Sequence, residues 1–192
     1  MNAAQRTQAI LADPSGAWAR IEAEPDDAAQ LLTSYVVLVA LVPAVCNFIG
    51  ACVVGTIVPG AGAMRAPLLD GLFGAAFCYV LACASAVLLA LLINALAPRF
   101  GGRRDFDSAF KLATYSYVPV WLAGISLLAP GLRFLGLAGG YGAYILWQGL
   151  PRLMKCPAQR APPYAAVIVA GACLLALVTA AAQRALFGSA AI

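Results

Sequence analysis

The sequence predicts an all-α integral membrane protein, a five-helix transmembrane bundle preceded by a short N-terminal interfacial helix. Three observations carry this reading. Five long windows hold no Asp, Glu, Lys or Arg: Ala28 to Met64, Gly71 to Pro98, Leu112 to Leu132, Phe134 to Pro151 and Ala161 to Gln183. Each is near or above the roughly 20 apolar residues that a helix needs to cross a hydrocarbon core about 30 Å thick. Apolar residues make up 63% of the 192-residue chain and charged residues only 10%, far from the mixture of about 45–50% and 25% in globular domains. The twelve Lys and Arg residues are also unevenly placed. With five spans, nine fall on the side of the N-terminus and three (Arg65, Arg133, Arg184) on the other. Positive residues in short loops stay cytoplasmic, which predicts the N-terminus inside and the C-terminus outside.

The elements follow in order. Residues 1–27 form a cytoplasmic N-terminal segment and residues 28–192 the membrane domain. Met1 to Ala12 is polar and lacks the apolar core of a cleaved signal. In LADPSGAWARIEAEP, Asp13 caps a helix whose first residue is Pro14, and Trp18 and Ile21 share one face, as in a helix lying at the headgroup level. Pro25 ends that helix, and Asp26 or Asp27 caps the first span, about Leu31 to Val58, with a kink expected at Pro43. The second span, about Asp70 to Ala97, is lined with small residues that let helices approach closely. Asp105 or Asp107 caps the third span. Ala129, Pro130 and Gly131 leave room only for a turn before the fourth, in which Gly136 and Gly140 form a GxxxG extended by Ala143, a face predicted to pack tightly on another helix. The fifth span runs from about Tyr164 to Phe187.

Chemistry is limited by what is missing. No histidine is present, which excludes Ser-His-Asp and Cys-His relays and His-ligated zinc or haem. Asp70, Asp105 and Asp107 sit at span ends, where capping explains them, and the Asp70-Gly71 pair lacks the further acids that a Mg²⁺-dependent transferase needs. Five of the six cysteines lie inside apolar windows and behave as small hydrophobes, while Cys156 falls in a basic loop as a reduced thiol. No enzyme activity, cofactor or metal is expected. The net charge of +4 sits where topology requires it, and no basic patch is interleaved with aromatics, so nucleic acid is not a partner. Membrane lipids are, and other membrane proteins or a second copy are further candidates. Asn47 and Asn94 lie inside spans and are expected to hydrogen-bond between helices.

The third span holds the least ordinary stretch. Pro119 lacks an N–H, so the carbonyl of Tyr115 loses its helical donor, and Ser116 and Tyr117 crowd polar atoms beside that break. Lys111 lies one turn into the span, within reach of the interface or of Asp107 at i, i+4. The motif to test is therefore Asp107, Lys111, Tyr115, Ser116, Tyr117 and Pro119.

Three segments, LADPSGAWARIEAEP, FDSAFKLATYSYVPVWLAG and WQGLPRLMKCPAQRAPPYAAVIV, resemble the bacterial branch of the Yip family, relatives of the Ypt/Rab-interacting membrane proteins. The similarity covers nearly the whole chain and implies five spans with a cytoplasmic N-terminus. Tyr115, Ser116 and Pro119 match a Tyr-Gly-Tyr-Ser-like element of the eukaryotic branch, with Thr114 in place of its glycine. The acidic-Leu-Tyr-Gly-Pro element of that branch is absent, since EPDDAAQLLTSY stands there, and a vesicle-trafficking role does not transfer. The resemblance implies a non-catalytic scaffold or adaptor of the inner membrane. The alternative is a small transporter, channel or lipid-handling protein that uses the kinked third span, and it ranks second because a pathway normally displays buried charge.

Overall fold

The computed structural model describes residues 3–24, 27–58, 62–128, 136–137 and 139–187. Two short helices come first, α1 (Ala3–Ala12) and α2 (Pro14–Ala23). The Asp13 side chain accepts from the Gly16 N–H at 3.1 Å, and Pro14 takes the first helical position as expected. That N–H and the Ser15 hydroxyl hold the Asp13 carboxyl below its ordinary range. Helix α3 (Ala28–Val54) opens with Asp27 accepting from the Gln30 N–H at 2.7 Å. Pro25 and Asp26 lie outside the described residues.

Helix α3 is irregular in ways its sequence explains. Pro43 gives no N–H to the carbonyl of Val39, and the helix breaks into a turn at Ala40. Wide π turns occupy Leu32–Val36 and Ile49–Val54. Gly55, at φ 82°, ends the helix in a conformation that a side chain disfavours, and its N–H returns to the Gly50 carbonyl at 2.9 Å. The first span was expected to reach Val58, but Thr56–Val58 (β1) instead pairs antiparallel with Gly62–Met64 (β2).

Helix α4 (Leu68–Leu96) continues as a 3₁₀ turn to Phe100. Helix α5 (Phe106–Ala123) is capped by Asp105, whose carboxylate accepts from the Ser108 N–H at 3.3 Å and the Ser108 hydroxyl at 3.0 Å. Pro119 sits inside α5 without ending it. Helices α6 (Tyr141–Leu153) and α7 (Ala161–Phe187) complete the bundle. The turn expected at Ala129 to Gly131 lies outside the described residues. Helix α5 is the centre of the fold: it packs against α4 and α6, and α1 and α3 reach it from the other side. Every residue from Ala109 to Pro119 is buried.

Among the described residues, three helices are long and apolar enough to cross a membrane: Ala28–Val54, Leu68–Phe100 and Ala158–Phe187. Their outer faces expose large apolar side chains such as Leu38, Val45, Leu72, Phe73, Leu174 and Leu177. Such a surface is costly in water and at home in lipid. The chain is thus a helical integral membrane protein. Of the five expected spans, three are supported among the described residues. The described part of α6 has 13 residues, about 20 Å of rise. Helix α5 is enclosed by the other helices.

Two further expectations are corrected. Trp18 does not sit at a headgroup surface: it is fully buried, and its indole N–H donates to the Ile145 carbonyl of α6 at 3.1 Å. The α1–α2 pair therefore packs onto the bundle, because an aromatic ring with one donor is as well matched to a protein groove as to an interface. The GxxxG face of Gly136 and Gly140 is not a close helix contact among the described residues either, since a Cβ at either position would meet nothing of them within 4 Å. Close approach occurs at Gly142 and Gly149 instead. A Cβ at Gly142 would stand 2.4 Å from the Ser116 carbonyl oxygen, and one at Gly149 would stand 2.5 Å from Leu112 and 2.7 Å from the Trp18 ring.

Candidate functional site

Helix α5 divides the candidate residues between two faces. On the first, Asp107 and Lys111 do not pair with each other. Asp107 Oδ1 accepts from the Ala28 N–H at 3.0 Å, one of the donors that the first turn of α3 cannot satisfy internally. Lys111 is 8% exposed, and its Nζ donates to the carbonyls of Glu24 at 2.6 Å and Ile21 at 3.4 Å. A carboxylate thus meets the positive end of α3 and an ammonium the negative end of α2, both favourable to the helix dipoles. The first turns of α5 clasp the chain on either side of the α2–α3 connection.

One turn further, Tyr115 is buried among Tyr35 and Trp18, with ring centroids 5.2 and 6.1 Å away. Its hydroxyl accepts from Arg6 Nη1 at 3.2 Å, while Arg6 Nη2 pairs with Glu24 Oε2 at 3.1 Å. Thr7 and Tyr35 share a hydrogen bond of 2.7 Å between their hydroxyls. Residues from α1, α2, α3 and α5 therefore form one largely buried polar cluster. Lys155 pairs with Glu22 at its rim. Arg6, Tyr35 and Glu24 escaped the sequence reading because nothing local marks a partner a hundred residues away.

The second face of α5 is different. Thr114 Oγ1 and Ser116 Oγ are buried with no hydrogen-bond partner among the described residues. Tyr117 is 9% exposed and stacks on Trp121 at 5.7 Å, and no described residue bonds its hydroxyl. Ser116 and Tyr117 line a cavity of about 350 Å³ with Gly136, Gly140, Ala143 and Ala172. A second cavity of about 330 Å³ adjoins it, sharing Tyr117, Val120, Gly136, Gly139 and Ala176. The expected packing residues Gly136, Gly140 and Ala143 thus border open space.

Elsewhere the loops interlock. The Arg103 N–H donates to the Met154 carbonyl at 2.9 Å, and Cys156, expected in an open loop, is only 4% exposed. Burial pushes its thiol above the ordinary range. Tyr164 of α7 donates to the Ile93 carbonyl and stacks on Phe100 at 4.7 Å, fixing the end of α4. Asn47 and Asn94 make no interhelical hydrogen bond among the described residues, and Asn94 Oδ1 is buried without a partner. Among the described residues, no group of three or more His, Cys, Asp or Glu is placed to hold a metal.

No curated protein and no solved structure matches this chain. The Yip1 domain family model matches residues 9–180, a stretch that takes in Trp18, the α5 motif, the first cavity and the Tyr164 lock. On that match the chain belongs to the Yip1 domain family.

Proposed function

We propose that this protein is a non-catalytic scaffold or adaptor of a bacterial inner membrane, with its N-terminus cytoplasmic and its C-terminus outside. One observation carries the reading: Asp107, Lys111 and Tyr115 direct their polar atoms to the end of α2, the start of α3 and Arg6. These residues join four helices into one surface, and none of them faces an open path. A transport pathway would instead place ionisable groups along a channel at mid-depth. The surface formed by α1, α2 and the loops at Arg103 and Lys155 carries both basic and acidic side chains and is assigned to the cytoplasmic side by the charge distribution, where other membrane proteins or a second copy would dock.

Two experiments test this. Tyr115→Phe loosens the Arg6 anchor and is expected to change which proteins co-purify from native membranes, while reconstituted vesicles show no protein-dependent flux of protons, ions or labelled lipid. Flux that appears with the wild type and is lost with Tyr115→Phe overturns the scaffold reading in favour of transport. Orientation is tested with single cysteines at the exposed positions Arg104 and Arg65. An impermeant thiol reagent is expected to reach the Arg65→Cys protein in intact cells and the Arg104→Cys protein only in inverted vesicles; the opposite pattern reverses the topology.

A further inference from the structure

We infer that Arg99 and Arg160, at the adjoining ends of α4 and α7, bind the phosphate of one anionic phospholipid whose acyl chains lie along the outer faces of these two helices. Three contacts bring the ends together. The Phe100 ring stacks on Tyr164 at 4.7 Å, the Tyr164 hydroxyl donates to the Ile93 carbonyl, and the Arg160 guanidinium lies against the turn at Gly101. Gly101 has φ 75°, and a Cβ there would stand 3.3 Å from Arg160 Nη1. A residue without a side chain thus makes the turn that follows Arg99 and leaves room for the second guanidinium.

The charge gathered at this corner is not neutralised within the chain. Arg99 and Arg160 are exposed, and neither has an ion pair or a side-chain hydrogen bond among the described residues. Arg104, exposed in the same loop, has none either. The acids of the neighbouring segments are engaged elsewhere. Asp105 pairs with Arg103 and caps α5, Glu22 pairs with Lys155, and Asp107 accepts from the Ala28 N–H. The end of α4 does not call for these cations, because the carbonyls of Ala97 and Pro98 already accept from the N–H groups of Gly102 and Gly101. A guanidinium offers a planar fork of donors that matches two phosphate oxygens at once.

Position selects a lipid as the bearer of that phosphate. The spans Leu68–Phe100 and Ala158–Phe187 have 33 and 30 residues. Their rise of about 50 and 45 Å compares with about 40–45 Å for a bilayer with its headgroups, so their ends stand in the headgroup layer. Each arginine also closes a stripe of exposed apolar residues on its own helix. Leu88, Leu91 and Ala95 lead to Arg99, and Val167 and Pro163 lead to Arg160, all at helical spacings of three or four. Surface in contact with acyl chains therefore ends in a cation at the depth of the phosphates, with the aliphatic stem of each arginine on the apolar side. A soluble anion would use the charge and leave both stripes unused. The site requires only the membrane, and neither the scaffold role nor the orientation proposed above.

The test presents the full chain, in mild detergent, with equal amounts of dioleoylphosphatidylglycerol and dioleoylphosphatidylcholine, and identifies the bound lipid by native mass spectrometry. The two lipids share acyl chains and differ in headgroup charge. The wild type is expected to prefer phosphatidylglycerol about twentyfold, and Arg99→Gln and Arg160→Gln are each expected to lower that preference roughly fivefold. Both positions are exposed, and Arg99→Gln carries the reading alone should Arg160→Gln not accumulate. Arg152→Gln removes the same charge from the end of α6 and is expected to leave the preference unchanged. Inorganic phosphate at the lipid concentration is expected to displace nothing. An unchanged preference in an arginine variant of the site, or an equal loss in Arg152→Gln, means that only the general charge of this side is felt and overturns the inference. Displacement by inorganic phosphate overturns it in favour of a soluble anion.

Discussion

Tyr115 and Tyr117 stand two residues apart on one buried helix, and the protein treats them in opposite ways. Tyr115 turns toward α1, α2 and α3, where a guanidinium donates to its hydroxyl and two aromatic rings enclose it. Tyr117 turns toward α6 and α7, where its ring is stacked and its hydroxyl has no described partner. Two positions along a helix differ by about 200° of rotation, so neighbours in sequence face different surroundings. The first face is finished: Asp107 and Lys111 meet helix ends, and the hydroxyls of Tyr35 and Tyr115 are bonded by Thr7 and Arg6. The second is open, with Ser116 also unpaired and glycines bordering space. The contrast separates the polar groups that hold the fold from those left for something outside the chain.

The glycines of α6 give the largest effect by which to break this comparison. Gly142→Ala drives a methyl into the Ser116 carbonyl, and neither backbone has a flexible end that can give way. A loss of about 1–3 kcal/mol is expected. Gly140 has helical dihedrals, φ −62° and ψ −25°, and open space around it. Gly140→Ala is therefore expected to be neutral or to stabilise by about 0.4–1 kcal/mol through the unfolded chain. Thermal melting in detergent decides between the two. If Gly140→Ala destabilises as much as Gly142→Ala, the second face is a dry contact and the cavities beside Gly140 are closed.

The next effect sharpens the finished face. Lys111→Met keeps the bulk of the side chain and removes the donor shared by the Glu24 and Ile21 carbonyls. Leaving those acceptors unpaired at the end of α2 is expected to cost about 1–3 kcal/mol. Because the loss falls on the α1–α2 pair, trypsin is expected to cut faster after the exposed Arg20, while α7 is unaffected. Unchanged cleavage at Arg20 would mean that Trp18 alone holds the pair in place.

These results show what the sequence carries and what it does not. Local signals were legible: Asp13, Asp27 and Asp105 cap the helices they precede, and Pro43 breaks α3 at Ala40. Long apolar windows identified a membrane protein, although window length did not distinguish a lipid-exposed helix from α5, which is apolar because protein surrounds it. The i, i+4 spacing of Asp107 and Lys111 reads as a local pair, yet their partners lie 79 and 87 residues away, a separation no periodicity encodes. The small-residue stripe was ambiguous for a physical reason. Missing side chains permit two helices to touch and equally permit a void, and only the placement of α7 relative to Gly136 and Gly140 settled it. Gly142 and Gly149, seven residues apart and hence on one face, held the packing signal.

The smallest expected effect is the sharpest test of the comparison. Tyr115→Phe removes the acceptor for a partly buried guanidinium and is expected to cost about 1–2 kcal/mol. Tyr117→Phe keeps the ring that stacks on Trp121 and removes a hydroxyl that no described residue bonds. Deleting such a group forfeits no hydrogen bond to a described residue. In lipid-depleted detergent its melting is thus expected to lie within about 0.5 kcal/mol of the wild type, or above it. The two hydroxyls face different elements and share no partner, so the double variant is expected to melt like Tyr115→Phe, with the two effects adding. A Tyr117→Phe loss as large as that of Tyr115→Phe in the depleted state would mean that the second hydroxyl is bonded within the chain, and that both faces of α5 are closed.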